Sequence, residues 1–345
     1  MRRIKASNSD AVLVIAEKSD IHADAVIYYL EKKGVTVFRL DLPQTEGWKD
    51  SPSVEWTPGI EDEDAMLQWK GRCIIASSIR SVYCRDLDFP KCPEEAPIEE
   101  HLRYAEIRAS IIGYLRLLQD RYWVNNPWYD EMADNKPYQV ACAAKIGMHV
   151  PRTLVTDDPD RLREFYRECE GRIIIKQLSE ISLIDDQEIN PASSLDDPMV
   201  YGFYTEKVLP KHLSEIESIR GTPCLFQEEI RKDADIRVTV IGNQIVGHRI
   251  DSQTKENSQT DFRKELSLPI SSYEFPDQEK NKLLQLLRYW GLEFAACDYV
   301  LCPEGKLIFI EANVEGNWLW LEDGEESPIS EAIANMLLSH PSSIR

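Results

Sequence analysis

The sequence has no long apolar run and no N-terminal signal-peptide pattern. Its 345 residues are 43% hydrophobic, enough for a substantial core, and this length suggests two or three modules. The run "AVLVIA" (11–16) has the length of a strand. No run approaches the roughly 20 apolar residues that cross a bilayer. The sequence therefore predicts a soluble, cytoplasmic protein with no membrane partner.

Positive charge is scarce, because 60 acidic residues outweigh 40 basic ones and leave a net charge of −20. Such a surface repels the phosphates of nucleic acids, and no cluster of lysines and arginines compensates. Nucleic acid is therefore not expected as a partner. A partner with some basic character is favoured, although acidic surfaces usually serve solubility.

Zinc spacings and nucleotide-binding glycine motifs are absent as well. The eight cysteines form no C-x-x-C pair and the six histidines no H-x-x-x-H pair, so reduced structural thiols are expected. The first strand is followed by "AEKSDIH" rather than G-x-G-x-x-G, which argues against a dinucleotide site. The only Gly-Lys pair lies in "PEGKL" (303–307), a hairpin turn, so there is no Walker loop.

What the sequence does contain is an alternation of strand and helix patterns, which predicts an α/β protein. We divide it into an N-terminal βαβ module (1–122), a central module (123–220) and a β-rich C-terminal module (221–345). The expected strands cover 11–17, 35–41, parts of 72–86, 150–157, 171–178, 200–208 and 222–230, with hairpins at 235–251 and 292–313. The expected helices begin near 20 and cover 98–119, 136–147, 158–170, 276–290 and 328–339.

The hairpin at 292–313 carries polar residues where a buried strand should be apolar. A tight turn at Glu304-Gly305 would place Asp298 opposite Glu311, with Asn313 on the same face. Like charges facing each other destabilise a ladder unless they hold a cation, and all-oxygen ligands favour Mg²⁺ or Mn²⁺. If the register is shifted by one residue, the two acids instead face solvent separately. Trp318 and Trp320 alternate and are expected to share a face beside this site.

Each charged residue elsewhere in the chain is, taken alone, only weak evidence for a binding site. Lys176 ends a strand and is typical of a solvated strand end, while Asp235 and Arg237 share a strand face and would pair with each other. Arg263 follows the polar stretch 252–260, which has the composition of a mobile loop. Together with the carboxylate hairpin, these cations predict a site for a polyphosphate and Mg²⁺.

Six motifs in order then resemble a known family, the ATP-grasp ligases. They are "NNPWYDEMADNKPYQVACAAKIGMHVPRTLVTDDP" (125–159), "IIIKQ" (173–177), "FQEEI" (226–230), "DIRVTVIGNQIVGHRIDSQ" (235–253), "DFR" (261–263) and "FIEANVEGNWLWLE" (309–322). Within that family the chain looks most like the microviridin or graspetide maturases, which crosslink ribosomal precursor peptides. The resemblance implies an ATP-grasp fold behind an N-terminal Rossmann-like domain.

The resemblance also implies how ATP and Mg²⁺ would be held. The nucleotide-binding residues it points to are two phosphate-holding lysines and an adenine-reading hinge: Lys136, Lys176, Gln227, Glu228, Glu229 and Ile230. It assigns Mg²⁺ to Asp298, Glu311 and Asn313, in agreement with the hairpin argument.

The remaining residues implied by the resemblance act on the substrate. Arg237 and Arg263 resemble the arginines that neutralise the γ-phosphate and the acyl phosphate. Asp235 forms with Arg237 a D-x-R pair like the one that positions the acidic substrate side chain. Asp235 is also a candidate general base, although orienting Arg237 is its simpler role.

The implied activity is ADP-forming ligation, in which a Glu or Asp side chain of a precursor peptide is activated as an acyl phosphate. A Thr, Ser or Lys side chain then closes a lactone or lactam ring. Two alternatives stay open: a small-molecule amino-acid or glutamate ligase of the same fold, and a catalytically weakened ATP-binding regulatory protein. The second alternative stays open because the span 177–194 contains no glycine, whereas the family has a Gly-rich loop there. The region 182–220 is a candidate surface for a leader peptide, and a homodimer is left open.

Overall fold

The computed structural model describes residues 2–3, 10–42, 48, 50–59, 64–178, 204–265, 267–322 and 328–339. In this part of the chain the strands form four sheets. The strands are β1 (Arg2–Arg3), β2 (Ala11–Ala16), β3 (Thr36–Asp41), β4 (Ser53–Glu55), β5 (Met66–Trp69), β6 (Arg72–Ile75), β7 (Ile79–Cys84), β8 (Tyr122–Val124), β9 (Thr153–Thr156), β10 (Ile173–Lys176), β11 (Glu206–Lys207), β12 (Cys224–Glu228), β13 (Ala234–Ile241), β14 (Gln244–Ile250), β15 (Ile270–Ser272), β16 (Phe294–Leu301) and β17 (Leu307–Asn313). The α-helices are α1 (Ile21–Lys32), α2 (Ile98–Arg116), α3 (Pro127–Ala133), α4 (Lys136–Ile146), α5 (Pro159–Glu168), α6 (Asp277–Trp290) and α7 (Pro328–Ser339).

The N-terminal sheet is parallel, with strand order β3-β2-β7-β8, and confirms the predicted strand–helix–strand start. All six residues of β2 are buried because helices cover both faces of the sheet. Its even-numbered side chains pack with α1 and α7, and its odd-numbered ones pack with α2. This is why β2 is apolar throughout rather than alternating, as expected of a parallel strand.

A second N-terminal sheet, ordered β1-β6-β5-β4, was only partly predicted. Strand character is predicted within 72–86, which holds β6 and β7, but not for β4 and β5. These two strands are three and four residues long, so their alternation is too short to stand out.

The central sheet is antiparallel, with order β11-β10-β12-β9, and α5 packs on it. Asp158 caps α5 by accepting a hydrogen bond from the N–H of Asp160. The strand expected at 200–208 is present only as β11 within the described residues, since 200–203 lie outside them.

The C-terminal sheet is antiparallel, with order β15-β14-β13-β16-β17, and contains both predicted hairpins. α4 and α6 pack on it around Trp290, Tyr299 and Phe309 in the largest apolar cluster. α6 ends at Gly291, which has a left-handed backbone (φ 75°) as a helix C-cap requires. Among the described residues, no helix is both long and apolar enough to cross a bilayer.

Candidate active site

Two adjoining cavities meet between the central and C-terminal sheets. The first, the inter-sheet cleft, is lined by strand residues of both sheets: Ile174, Lys176, Gln227, Glu228, Asp235, Asp298, Val300, Ile310 and Glu311. The second, the large cavity, has a volume of about 1220 Å³ and reaches the N-terminal sheet. Both are lined by Phe262, Arg263, Asp298 and Glu311, so these residues stand where the cavities join.

Asp298 and Glu311 face each other across β16 and β17, as predicted, but the turn alone does not produce this pairing. Between the turn and the pair Tyr299↔Phe309, the strand pairing is shifted by one residue from the predicted register. A β-bulge between Asp298 and Tyr299 restores the predicted register beyond that point. Ile310 is the extra residue. Without the bulge Asp298 would face Ile310, so the bulge re-aims Glu311 toward the site.

The two carboxylates have opposite electrostatic surroundings. Burial would raise the pKa of Glu311, but the positive charges of Lys176 and Lys136, and then of the arginines, outweigh it and hold that pKa below its usual value. Burial raises the pKa of Asp298, outweighing the opposing charge of Arg237, and the facing Glu311 adds to the increase. The two carboxylates therefore form a buried acidic pair that a bound cation would stabilise.

Arg237 is buried on β13, directly across from Asp298 on β16. Its Nη1 donates to both carboxylate oxygens of Asp298, each at 2.9 Å. Its Nε has no hydrogen-bond partner among the described residues. The expected pairing of Arg237 with Asp235 is therefore wrong: the cross-strand partner is nearer to the guanidinium than the neighbour two residues earlier on β13.

Asp235 pairs instead with Lys232, a residue that was not among the predicted site residues. The Lys232 ammonium donates to both oxygens of Asp235, at 3.1 and 2.8 Å, and to the carbonyl of Thr260 at 3.3 Å. Both side chains line the inter-sheet cleft and neither lines the large cavity where Arg237 lies. The signal that could have found Lys232 is its i,i+3 spacing before Asp235.

Arg263 is held by Asp261, the first residue of the "DFR" motif. The Asp261 carboxylate accepts two side-chain hydrogen bonds from Arg263, at 2.9 and 2.6 Å, and one from the Thr205 N–H at 3.1 Å. Burial opposes ionisation of Asp261, but the hydrogen bonds and charge of Arg263 lower the pKa of this carboxyl to about 2. Arg263 is thus fixed at the junction of the two cavities.

The two predicted lysines both act on Glu311. Lys176 ends β10 inside the inter-sheet cleft, where burial lowers its pKa while the charge of Glu311 opposes that shift. Lys136 is the first residue of α4, whose N-cap Asn135 accepts a hydrogen bond from Tyr138 N–H at 3.0 Å. The structure therefore brings together two lysines 40 residues apart in the chain, although neither spacing nor periodicity predicted their meeting.

The predicted hinge, 227–230, follows β12 along the cleft. Gln227 is buried and donates to Thr153 Oγ1 at 3.2 Å, while its Oε1 has no partner among the described residues. The backbone N–H groups of Glu228 and Glu229 already donate to the carbonyls of Arg152 and Arg172. A ligand at the hinge must therefore form its hydrogen bonds with groups other than these two backbone N–H donors.

The oxygen set at the junction fits a magnesium ion with one adjustment. Asp298, Glu311 and Asn313 lie on one face, as predicted, but Asn313 presents Nδ2 to Asp298 Oδ2 at 3.2 Å. In a metal-bound site the amide would present its oxygen instead, which a rotation about its last bond supplies. Within the described ranges, no group of three His, Cys, Asp or Glu side chains is placed to hold a metal ion.

The segment Glu315–Asn317 links this site to the N-terminal sheet, which sequence reasoning missed. Arg85, at the end of β7, donates to the carbonyl of Glu315 at 2.8 Å and to Asn317 Oδ1 at 2.9 Å. From the other side, a Cβ added to Gly316 would lie 3.1 Å from Arg237 Nη2 and 2.3 Å from the Ala296 Cβ. Only glycine fits at this point, because any Cβ would overlap the Ala296 Cβ.

The two tryptophans do not share a face, contrary to expectation. They lie on a short 3₁₀ segment (Leu319–Leu321 and the residue before it) rather than on a strand. Trp318 is fully buried and packs against Phe294 and under Arg85, whereas Trp320 is 44% exposed, stacks on Phe262 and lines the large cavity. Only Trp320 is a wall of the site.

Solved structures of other proteins share this fold. No protein-family model matches the chain. Among solved structures, macrocyclase MdnC of Microcystis aeruginosa MRC, bound with precursor peptide MdnA, is 27% identical, with a TM-score of 0.78 over 95% of this chain and 99% of that one. Macrocyclase MdnB of the same organism is 28% identical, with a TM-score of 0.76 over 96% of this chain and 100% of the other.

A Chryseobacterium gregarium RiPP-associated ATP-grasp ligase, in complex with ADP and a leader and core peptide, is 25% identical, with a TM-score of 0.81 over 95% of this chain and 96% of that chain. Among curated proteins, human N-acetylaspartylglutamate synthase A is 26% identical over 134 residues, 37% of this chain. The match spans only 33% of that relative's length.

The chain shares its fold, with a carboxylate- and cation-lined cleft between two antiparallel sheets, with solved ATP-grasp ligases. ATP and Mg²⁺ are the cofactors of this class. Two of the structures that match this chain over nearly its whole length are macrocyclases.

Proposed function

We propose that this protein is an ADP-forming ligase that crosslinks a ribosomal precursor peptide. It would activate Glu or Asp side-chain carboxylates and close them onto Thr, Ser or Lys side chains. The observation that carries the proposal is the Asp298–Glu311 pair, surrounded by cations where the inter-sheet cleft opens into a large second cavity. Support comes from the macrocyclases that match nearly the whole chain, one of them bound with its precursor peptide.

In this proposal the inter-sheet cleft takes ATP. Ile174, Ile230 and Val300 offer apolar surface for a flat ring beside the hinge 227–230, and Lys136 and Lys176 meet the phosphates. Asp298, Glu311 and Asn313 would hold Mg²⁺, which supplies charge neutralisation to the phosphates when bound.

The acidic side chain of the peptide would approach from the large cavity. Its carboxylate oxygen attacks the terminal phosphorus, the bond to ADP breaks, and an acyl phosphate forms. Arg237 and Arg263 stand at this point with their guanidinium planes fixed by Asp298 and Asp261, so they can stabilise the transferring group without reorganising. The peptide nucleophile then attacks the acyl carbon, phosphate leaves, and the nucleophile's proton leaves with it.

Asp235 enters the proposal through Lys232. The pair lines the cleft, and because both oxygens of Asp235 are engaged by the ammonium, Asp235 holds a cation in place. We therefore propose that Asp235 helps to position the acidic substrate side chain indirectly and is not the general base.

The test uses the purified chain with ATP, Mg²⁺ and each short acidic peptide encoded beside its gene. We expect stoichiometric ADP release and the loss of one water mass per crosslink by mass spectrometry. Tandem mass spectra would place each loss on a Glu or Asp joined to a Thr, Ser or Lys. ADP release without any peptide mass change would overturn the crosslinking function.

A small-molecule ligase is the second candidate, favoured by the 134-residue similarity to N-acetylaspartylglutamate synthase A. It predicts ATP-dependent coupling of free acidic amino acids in the absence of any peptide. Incubation with glutamate, aspartate and N-acetylaspartate separates the two candidates, because only the small-molecule ligase predicts their ATP-dependent coupling without a peptide.

We also propose where the three modules meet and where in the cell the protein acts. We place the first boundary after β8, which completes the N-terminal sheet, and the second after Glu228, because β12 belongs to the central sheet. A cytoplasmic location would supply ATP. The leader-docking surface proposed at 182–220 lies outside the described residues up to 203.

A further inference from the structure

The C-terminal sheet ends in β17 on one side and in β15 on the other, and the described residues cap only one of these edges. At β17 the Gln139 side-chain amide exchanges two hydrogen bonds with the backbone of Ala312, at 2.8 and 2.9 Å, and Phe309 N–H donates to the His149 carbonyl at 2.8 Å. β15 pairs with β14, and no described strand lies on its other side. An open strand edge is a template for pairing with another chain.

The backbone hydrogen bonds around β15 show which of its groups face β14. Asp251 N–H donates to the Pro269 carbonyl at 3.0 Å, and Tyr273 N–H donates to the Gly247 carbonyl at 2.8 Å. In an antiparallel pair, residues that bond the neighbouring strand alternate with residues whose backbone groups point away from it. The odd-numbered residues of this stretch therefore face β14, and the even-numbered ones point outward.

Ile270 and Ser272 are the two residues of β15 with outward backbone groups. Both are exposed, Ile270 at 37%, and their outward N–H and C=O groups form no backbone hydrogen bond with any described residue. The three-residue length of β15 is one protection of an edge. The strand has none of the others, since it contains no charged side chain, no proline and no bulge.

The open edge of β15 borders the large cavity. Ile270 lines this cavity together with Leu268, which precedes the strand, and with Ile250, its cross-strand partner on β14. Arg237 and Arg263 line the same cavity. A strand added to this edge would turn every second side chain to the cavity face of the sheet.

We propose that an extended segment of the peptide substrate binds as a further strand on the open edge of β15. The proposal rests on the proposed function and adds how the peptide backbone is held. The two N–H and two C=O groups of the edge would bind any extended backbone, while the alternation of side chains determines which peptide residues face the cavity. Acidic side chains of the peptide are attracted by Arg237 and Arg263 in that cavity.

A peptide fits this edge better than a second copy of the chain does. An edge of three residues offers only these four backbone groups, whereas a stable dimer buries about 800 Å² on each partner. Two copies with a net charge of −20 each also repel one another. A peptide does not need such an area at the edge, because its other residues lie in the adjoining cavity.

The place of β15 in the sheet also predicts a spacing within the peptide. Neighbouring strands lie about 4.8 Å apart, so a strand added to β15 would lie roughly 14 Å from β13, which carries Arg237. An extended chain covers about 3.3 Å per residue, so about four residues separate the paired segment from the carboxylate that is activated. The edge therefore holds a part of the peptide that does not react.

The test uses the short acidic peptides encoded beside the gene, synthesised with a fluorescein label. Their dissociation constants are measured by fluorescence anisotropy without ATP, so that binding is separated from turnover. The variant is Ser272→Pro, which removes an outward N–H but no hydrogen bond to β14. Each variant is first checked for an unchanged thermal unfolding midpoint.

Val155→Pro is the matched control, on the edge strand β9 of the central sheet. Glu228 N–H donates to the Arg152 carbonyl, so the same alternation turns the Val155 N–H outward. Val155 is exposed and lines neither cavity. The two variants therefore remove equivalent groups from two different edges.

We expect Ser272→Pro to weaken peptide binding about fivefold, the effect of one lost hydrogen bond, and Val155→Pro to leave it unchanged. Hydrogen exchange in the unmodified chain is a second measurement that needs no variant. Bound peptide should protect the amides of Ile270 and Ser272 but not that of Val155. In peptides with a single backbone N-methyl group, binding should be lost at alternate positions of the paired segment. A peptide that binds without protecting β15, and equally well to Ser272→Pro, would overturn the inference.

These outcomes are distinguishable from failure of the proposed function. Crosslinking that proceeds with no protection of β15 and an unchanged KM in Ser272→Pro would refute strand pairing and leave the ligase function intact. Peptide binding that protects β15 without ADP release would do the reverse. A dimer that dissociates in Ser272→Pro would assign the edge to a second copy, and absence of binding by every peptide would overturn both proposals.

Discussion

Arg237 and Asp298 form a cross-strand pair in which one guanidinium nitrogen donates to both carboxylate oxygens at 2.9 Å. This contact fixes the arginine in the wall of the large cavity and keeps a carboxylate in place beside Glu311. A buried ion pair of this kind contributes little net stability, because desolvation offsets the attraction. Its value lies in orientation, and that distinction can be measured.

Arg237→Lys keeps the charge but loses the planar group that meets Asp298. We expect the rate of peptide-dependent ADP release to fall by about 10²-fold, the size of effect seen when one preorganised donor is removed. Arg249→Lys is the matched control, because Arg249 lies on the neighbouring strand β14, pairs with Asp251 and Asp233, and lines neither cavity. An equal loss in both variants would mean that sheet stability, and not orientation, limits the rate.

Glu311→Gln combined with Asp298→Asn removes both carboxylates proposed for Mg²⁺. We expect Mg²⁺-dependent ADP release to disappear, since neutral amides cannot offset the metal's charge. Glu304→Gln, in the exposed turn of the same hairpin, should leave the rate unchanged. Unchanged ADP release in the double variant would show that the metal assignment is wrong.

The lowered pKa of Asp261, about 2 against an ordinary 3.8, predicts a pH-dependent contribution to stability. Because the folded-state pKa lies below the unfolded one, the contribution is present above about pH 4 and is lost as the pH falls toward 2. A lowering of the pKa by nearly two corresponds to roughly 2 kcal/mol in the free energy of unfolding. The actual contribution is smaller, because Arg263 is half exposed and solvent screens the ion pair.

Asp261→Asn should therefore lower the free energy of unfolding by about 1–2 kcal/mol at pH 7 and by much less near pH 2.5. Denaturant unfolding at both pH values measures this. Asp233→Asn is the comparison, since its exposed carboxylate should contribute under about 1 kcal/mol. A loss for Asp261→Asn that does not depend on pH would contradict the ion-pair explanation.

Gly316→Ala tests the contact between the segment Glu315–Asn317 and the site. The new Cβ would lie 2.3 Å from the Ala296 Cβ, so we expect a destabilisation of about 1–3 kcal/mol and a displaced Arg237. Adding Ala296→Gly removes that clash and should restore part of both stability and rate. Gly113→Ala, in the last turn of α2 with its nearest atom at 3.5 Å, should leave stability unchanged or raise it.

Arg85→Lys tests whether the N-terminal sheet positions the site. Lysine cannot contact the Glu315 carbonyl, Asn317 Oδ1 and Asp20 together, so the segment beside Arg237 should loosen. We expect kcat to fall about tenfold, roughly one lost oriented contact, while the KM for ATP stays constant because Arg85 does not line the inter-sheet cleft. Arg80→Lys on the same strand, whose contact to Asp10 is 3.5 Å, is the control. A parallel change in KM would indicate general unfolding instead.

Much of the fold follows from local sequence. The helices α4, α5, α6 and α7 lie within a residue or two of their predicted bounds, because caps such as Asn135 and Gly291 are local chemistry. Both hairpins of the C-terminal sheet were also predicted, since their alternation and turn glycines are contained in one stretch of chain. β4 and β5 were not, because three- and four-residue strands carry too little periodicity.

The site shows where sequence alone stops. The chain by itself determined that Asp298, Glu311 and Asn313 lie on one hairpin, because two strands joined by a short turn must pair. It did not determine their register: the actual turn would have set Asp298 against Ile310, and the β-bulge brings back Glu311. Which side chains pair across elements was also decided only in three dimensions. Arg237 meets Asp298, Asp235 meets Lys232, and Arg85 reaches Glu315 from 230 residues away, because packing of separate sheets sets distances that no spacing along the chain encodes.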